Sequence, residues 1–136
     1  MRLLALTLFV SSITLAQTAP RAALEKKYPG ATISALTRDA NDFEARVTTK
    51  GRTLEVKVTA EGRVVEEEER ISLKQAPEAV ATALAKSAQA KWKVVAIEKV
   101  IRDEQADAPL YEIELSHGGK TVELLFDADG NPQPKR

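Results

Sequence analysis

The stretch that decides the fold runs from Tyr111 to Gly130 and reads YEIELSHGGKTVELLFDADG. Apolar and polar residues alternate on both sides of a Gly-Gly pair, and an Asp-Gly pair closes the second run. Alternation with a period of two across such a pair predicts a β-hairpin that buries one face. Leu125 breaks this pattern, since it lies on the polar side between Glu123 and Asp127. The pattern therefore predicts that Leu125 is exposed.

The same pattern occurs 68 residues earlier, from Phe43 to Gly62, as FEARVTTKGRTLEVKVTAEG. A short helical segment precedes each copy, opened by Pro20 in the first and by Pro77 in the second. One helix on a small sheet buries little apolar surface, so two copies are expected to lie side by side. The predicted fold class is α+β. It consists of two tandem repeats, each of one helix plus a three- to four-stranded antiparallel meander, over residues 20–70 and 71–136, with the helices packed on one face of the sheet.

Composition indicates a globular protein and excludes several classes of function. The chain is 43% hydrophobic and 29% charged, which is too apolar for a disordered protein. Twenty basic and twenty acidic residues cancel, so no overall positive field recruits nucleic acid. The chain has no cysteine, which excludes disulfides, thiolate metal sites, a cysteine nucleophile and a lipidated amino-terminal cysteine.

The amino terminus has the features of an export signal. Arg2 precedes an apolar run over residues 3–10, and small residues follow as far as Ala16. This order predicts a cleaved signal peptide over residues 1–16, with Ala19 as a second cleavage position. The apolar run is shorter than the roughly 20 residues that a membrane span needs. We therefore expect a periplasmic or secreted protein without a stable membrane anchor after cleavage.

Four short segments identify a family resemblance: Lys27-Tyr28-Pro29-Gly30, Tyr111-Glu112-Ile113-Glu114, Gly119-Lys120 and Phe126-Asp127-Ala128-Asp129-Gly130. Together they resemble the PepSY-like family of small secreted bacterial proteins, whose fold is similar to that of the β-lactamase inhibitor protein. The resemblance covers nearly all of the mature chain and implies an exported binding or inhibitory module. Its matching positions are core residues and turn glycines, so no contact residue of an inhibitor is carried over.

The closing Asp-Ala-Asp-Gly turn is the weak candidate for a metal site. Asp127 and Asp129 are spaced like the first ligands of a calcium loop. The glycine comes too early, however, and the chain ends before a bidentate glutamate could follow. The first copy has Thr59 and Glu61 at the matching places. We therefore predict a plain turn and no cofactor.

The candidate partner-binding residues come from two features of the strands. Four consecutive acids, residues 66–69, suggest a surface for a basic partner, a weak cation site or, more often, a solvated sheet edge. Leu125 would join Val65 and the Val94-Val95 pair in a small exposed apolar patch. The candidates are Leu125, Glu66, Glu67, Glu68 and Glu69.

No set of residues forms a catalytic motif, so we predict a protein that is not an enzyme. His117 is the only histidine and lies beside a turn, and a single histidine without cysteine is a poor zinc site. No Gly-x-Ser-x-Gly motif or other activated nucleophile is present. The leading hypothesis is a non-catalytic periplasmic module that engages an envelope protein or peptide. The alternative is a periplasmic protein that senses or binds a small ligand or metal ion.

Overall fold

The computed structural model describes residues 15–135 of the chain. Most of the predicted signal peptide, residues 1–16, lies outside this range. Two short 3-10 turns, Leu15–Gln17 and Leu73–Gln75, precede the helices. The helices and strands are α1 (Thr18–Lys27), β1 (Thr32–Ile33), β2 (Thr37–Asp39), β3 (Asp42–Thr49), β4 (Arg52–Thr59), β5 (Val64–Arg70), α2 (Glu78–Lys86), β6 (Lys93–Arg102), β7 (Leu110–His117) and β8 (Lys120–Asp127).

All eight strands belong to one antiparallel sheet, which confirms the α+β fold class. The order is β1-β3-β4-β5-β6-β7-β8, and β2 also pairs with β3. Strand β5 pairs with β4 on one side and with β6 on the other. The sheet is therefore continuous across the two halves of the sequence.

The prediction that residues 66–69 form a solvated sheet edge is wrong. These residues lie in β5, which is an interior strand with a neighbour on each side. The local acidity suggested an edge because unpaired strands often carry charge. In the folded chain, β6 occupies that side and contributes basic residues to it.

Two apolar clusters form the core, and each contains one helix. The first gathers Leu24 of α1 with side chains of β3, β4 and β5. The second gathers Val80 and Leu84 of α2 with side chains of β6, β7 and β8. The register aligns Val47 of the first cluster with Tyr111 of the second in one row across the sheet. Because aligned residues point the same way, both clusters lie on one face, called here the helix face. The opposite face is called the open face.

Two glycines fix the helices against the turns that end the hairpins. Gly62 and Gly130 both have positive φ angles, of 91° and 80°. A Cβ atom on Gly62 would lie 3.0 Å from the carbonyl oxygen of Ala19 in α1. A Cβ atom on Gly130 would lie 2.5 Å from the carbonyl oxygen of Ala79 in α2. Each helix therefore rests directly on the backbone of its turn, at a place where only glycine fits.

The helix boundaries differ slightly from those expected. Helix α1 begins at Thr18, before Pro20 rather than after it, because the first turn of a helix tolerates proline. Helix α2 begins directly after Pro77, as predicted. Within residues 15–135, neither helix is long and apolar enough to cross a membrane.

Candidate functional site

Strand β5 divides its four acids between the two faces of the sheet. Glu66 and Glu68 lie on the open face, while Glu67 and Glu69 lie on the helix face, because successive side chains of a strand alternate. All four are half-buried. Only two of the predicted partner-binding acids can therefore meet a partner on the open face.

The two acids on the helix face are bound within the protein. Glu67 accepts a hydrogen bond from the hydroxyl of Tyr28 and lies 3.2 Å from the ammonium of Lys27. Burial, together with that hydrogen bond, raises the pKa of the Tyr28 hydroxyl above its ordinary value. Glu69 accepts two hydrogen bonds from the guanidinium of Arg52, at 2.6 and 2.7 Å, and these lower the pKa of its carboxyl. These contacts tie α1 and β4 to the middle of the sheet.

Glu66 and Glu68 on the open face differ in their partners. Glu66 lies 2.8 Å from the guanidinium of Arg102 on β6. Glu68 stands opposite Glu55 on β4 and Val100 on β6. Within residues 15–135, no lysine or arginine nitrogen lies within 4.0 Å of its carboxylate. Glu68 is thus a half-buried carboxylate without a counter-ion.

The surroundings of Glu68 disfavour its ionised form. Burial, and then the negative charges of Glu66, Glu98 and Glu112, raise the pKa of Glu68 from 4.5 to about 7. Both causes act in the same direction, since removing water and adding like charge each penalise a carboxylate. At neutral pH, Glu68 is therefore divided between its protonated and ionised forms.

Strand β7 adds two further acids to the open face. Glu112 stands opposite Glu98, and Glu114 stands opposite Ala96. In the part of the chain that the structure describes, neither has an ion-pair partner. With Glu68 they form a strip of uncompensated negative charge that extends from β5 to β7.

The sequence pattern missed Glu112 and Glu114 as candidate site residues. They occupy the ordinary polar positions of an alternating strand, so nothing in the local pattern marks them. What distinguishes them is that the residues opposite them on β6, Glu98 and Ala96, are neither lysine nor arginine. That signal becomes visible only when the pairing of β6 with β7 is known.

The prediction that Leu125 is exposed is wrong, since the residue is only 4% exposed. Its position opposite Glu112 agrees with the predicted alternation. Its carbonyl, however, accepts a hydrogen bond of 2.8 Å from the backbone N–H of Gln133, so the carboxy-terminal segment runs beside it. Leu110 lies on the same face of β7, within the usual reach of a diagonal pair with Leu125. Leu125 is a packing residue and offers no contact surface.

The apolar patch expected around Leu125 does not form. Val94 and Val95 are 38% and 48% exposed and lie at an irregularity near the start of β6. Leu125 is buried near the end of β8, and Val65 is half-buried. Of the four residues expected in this patch, only Val94 and Val95 are therefore exposed.

The closing turn uses the carboxylate of Asp127 as an internal cap. Asp127 accepts hydrogen bonds of 2.9 Å from the backbone N–H groups of Asp129 and Asn131, and others from the side-chain amides of Asn131 and Gln133. These bonds, chiefly those from Asn131, lower the pKa of the Asp127 carboxyl. Among residues 15–135, no three His, Asp or Glu side chains come together as metal ligands. Asp127 and Asp129 thus form a turn, which the first copy builds with the hydroxyl of Thr59.

The only histidine lies at the end of β7, beside the turn to β8, as predicted. His117 pairs with Lys120 across the turn and is exposed. Its ring lies 5.5 Å from that of Trp92, at an interplanar angle of 33°. This contact helps to order the end of the hairpin.

A cleft of about 500 Å³ lies between the loop that follows β6 and the closing turn. Its charged lining consists of Arg102 and four aspartates, and Arg102 is already paired with Glu66. Among the described residues, no serine, threonine or histidine lines it. The described lining therefore holds no Ser-His pair of the kind that serine hydrolases use.

Three solved structures share this fold. A protein of Bacteroides eggerthii described as "putative periplasmic" is 24% identical, with a TM-score of 0.77 over 88% of this chain and 86% of its own. A protein of Bacteroides fragilis described as BLIP-like is 26% identical, with a TM-score of 0.73 over 87% and 83%. A DUF2874 family protein of Bacteroides uniformis is 21% identical, with a TM-score of 0.76 over 85% and 84%. No curated protein matches significantly.

The family model described as "Putative beta-lactamase-inhibitor-like, PepSY-like" matches the chain twice, over residues 10–66 and 63–133. The two matches together span most of the sequence and confirm the resemblance carried by the Lys-Tyr-Pro-Gly and Phe-Asp-Ala-Asp-Gly segments. The chain belongs to the PepSY-like, β-lactamase-inhibitor-like family.

Proposed function

We propose that this protein is a non-catalytic exported module that binds a protein or peptide partner on the open face of its sheet. The observation that carries the proposal is the uncompensated charge of Glu68, Glu112 and Glu114 on a face that neither helix covers. Half-buried carboxylates without counter-ions destabilise a folded chain. A partner that brings lysine or arginine to these residues would remove that penalty and gain specificity.

The size of the open face suits a protein partner. From β3 to β8 the sheet is six strands wide. At about 4.8 Å between strands this is roughly 24 Å, and five of the six strands have seven or eight residues. A stable interface buries about 800 Å² on each partner, which such a face can supply. The charged side chains of this face are less suited to a small molecule, which normally binds in a concave apolar pocket.

The inhibitory form of the proposal rests on the family description and on the BLIP-like structure from Bacteroides fragilis. The periplasmic location rests on the signal-like amino terminus and on the description of the Bacteroides eggerthii protein. An inhibitor of this kind would act on an enzyme of the cell envelope. Purified class A β-lactamases assayed with a chromogenic cephalosporin provide the direct test of that form.

Site-directed photo-crosslinking in cells that export the full chain tests the partner-binding proposal. A photoreactive residue replaces Glu114 on the open face, and a matched control replaces the exposed Thr82 on α2. We expect one recurrent protein adduct from position 114 and none from position 82. Glu112→Lys should reduce the yield of that adduct. Adducts that arise equally from both positions would contradict docking on the open face.

We also infer that the chain is a tandem pair of one folding unit, with both helices on the same face. The two family matches support this, as do the equivalent places of Gly62 and Gly130 against α1 and α2. No observation favours the alternative of metal-ion or small-ligand sensing, because the hydrogen bonds of the Asp127 carboxylate are used within the turn.

A further inference from the structure

The acids of the open face are grouped around Glu68. The acidic cluster consists of Glu66, Glu68, Glu98 and Glu112. Glu66 lies two residues away from Glu68 on the same strand and same face. Glu98 and Glu112 lie in the next row, on β6 and β7. Glu68 therefore has Glu55 opposite it on β4 and an apolar neighbour, Val100, opposite it on β6, while Glu66 and Glu98 lie on either side of this row.

Every charged side chain that faces Glu68 comes from the sheet, because both helices lie on the other face. The basic residues near it are already paired with other acids. The pairs are Arg46 with Glu55 at 2.8 Å, Lys57 with Asp39 at 2.7 Å and with Glu44 at 3.5 Å, Arg102 with Glu66 at 2.8 Å, and Arg70 with Glu98 at 3.5 Å. Glu112 completes the set as a further acid.

This geometry makes a proton the simplest counter-ion for Glu68. Glu66 and Glu98 are paired with cations of their own, whereas Glu112 has no lysine or arginine nitrogen within 4.0 Å among the residues that the structure describes, and the negative charges of all three act on Glu68 across a partly dry surface. The expected consequence is a raised pKa, and the value of about 7 agrees with it. A carboxylate with such surroundings titrates where histidine usually does.

We propose that Glu68 binds and releases a proton in the neutral pH range and so regulates the charge that the open face presents to its partner. The regulatory part rests on the proposed function, since it concerns the same face. Below neutral pH the face loses one negative charge at its centre, and a cationic partner is held less tightly. Conversely, a partner that places a cation beside Glu68 displaces the proton.

The first test is a carbon-13 NMR titration of the glutamate carboxyl groups in the exported chain. We expect one resonance with a midpoint near 7, identified by its loss in Glu68→Gln. Glu112→Gln should lower that midpoint measurably, because it removes a neighbouring charge. The matched control, Glu114→Gln, should leave it in place. A midpoint below about 5.5 for Glu68 would overturn the inference.

The second test measures regulation with a defined cationic probe, a ten-residue polylysine peptide, at pH 6 and pH 8. The His117→Gln background removes the only histidine of the chain, so that any remaining pH dependence comes from other groups. We expect binding about two- to fivefold tighter at pH 8, as for one added exposed ion pair. Glu68→Gln should abolish this difference. A difference that persists in Glu68→Gln would overturn the regulatory role.

The two proposals fail separately. If Glu68 titrates below 5.5, proton regulation is wrong, while crosslinking from position 114 remains the measure of docking. If crosslinking shows no partner on the open face, the proposed function is wrong, while a Glu68 midpoint near 7 still supports the proton site.

Discussion

At the scale of single residues, Glu68 links the stability of the fold to pH. Its pKa is about 7 in the folded chain and near 4.5 when unfolded, so the folded state binds more protons between these values. Stability therefore falls as pH rises from about 4.5 to 7 and is constant above that range. A carboxylate that is ionised but unpaired above pH 7 destabilises the native sheet.

Glu68→Gln should remove the fall in stability that occurs as pH rises from about 4.5 to 7. We expect the variant to be more stable than the wild type at pH 8 by about 1–2 kcal/mol, since the full shift is reduced by the solvent exposure of the side chain. At pH 4.5 the two proteins should have nearly equal free energies of unfolding. Urea denaturation at both pH values measures this, with Glu114→Gln as the control. An equal effect of Glu68→Gln at both pH values would contradict the explanation.

Tyr28 shows how the acids on the helix face contribute to structure. Its hydroxyl donates to Glu67, which joins the end of α1 to the central strand. Tyr28→Phe should lower the free energy of unfolding by about 1–2 kcal/mol, because it removes a partly buried hydrogen bond to a charged group. Among residues 15–135, the structure gives no hydrogen bond for the hydroxyl of Tyr111. Tyr111→Phe should therefore leave thermal unfolding nearly unchanged. A larger loss from Tyr111→Phe would rule out this role.

At the scale of elements, the contact between turn and helix determines how each helix sits on the sheet. Gly130→Ala should be the most harmful of three matched substitutions, at about 3 kcal/mol or more, because its Cβ would meet helix backbone at 2.5 Å. Gly62→Ala, at 3.0 Å, should cost less. Gly51 has open space around it and a φ of 73°, so Gly51→Ala should lower the free energy of unfolding only by the backbone strain, about 1 kcal/mol. Equal losses of melting temperature in all three would show that the contact with the helix is unimportant.

The hairpins could be predicted from the sequence, while the neighbours of their outer strands could not. Apolar and polar residues alternate where a strand buries one face, so the alternation over residues 111–127 predicts the pairing of β7 with β8. The pairing of β5 with β6 depends on two segments separated by a helix, and no local pattern specifies it. For this reason the interior position of Glu68 and its partners in the acidic cluster were not expected.

Leu125 shows within one residue what a local sequence pattern can and cannot predict. Its orientation toward the open face followed from the period of the strand. Its burial depends on Leu110 and on the segment around Gln133, which lie in other parts of the chain. Period determines the direction of a side chain, and tertiary contacts determine its exposure. The candidate site therefore consists of acids of β5, β6 and β7 and does not include Leu125.

At the scale of the whole molecule, the continuous sheet should make both halves unfold together. Five residue pairs join β5 to β6, and ion pairs of Lys27 with Glu104 and of Arg63 with Asp103 also connect the halves. Trp92, the only tryptophan, packs against the second core and reports on that half alone. Gly62→Ala alters only the first half, against α1. If the halves are cooperative, its effect must reach Trp92.

We therefore expect Gly62→Ala to lower the urea midpoint of Trp92 fluorescence and of far-UV circular dichroism by the same amount. One transition with coincident midpoints is the mark of a two-state domain. Gly51→Ala in the same half serves as the control for backbone strain alone and should move both signals less. A fluorescence midpoint that stays at its wild-type value while the dichroism curve splits in two would show two independent units. In that case the acids of β5 would become exposed whenever the first half opened, and the open face would exist only while both halves are folded.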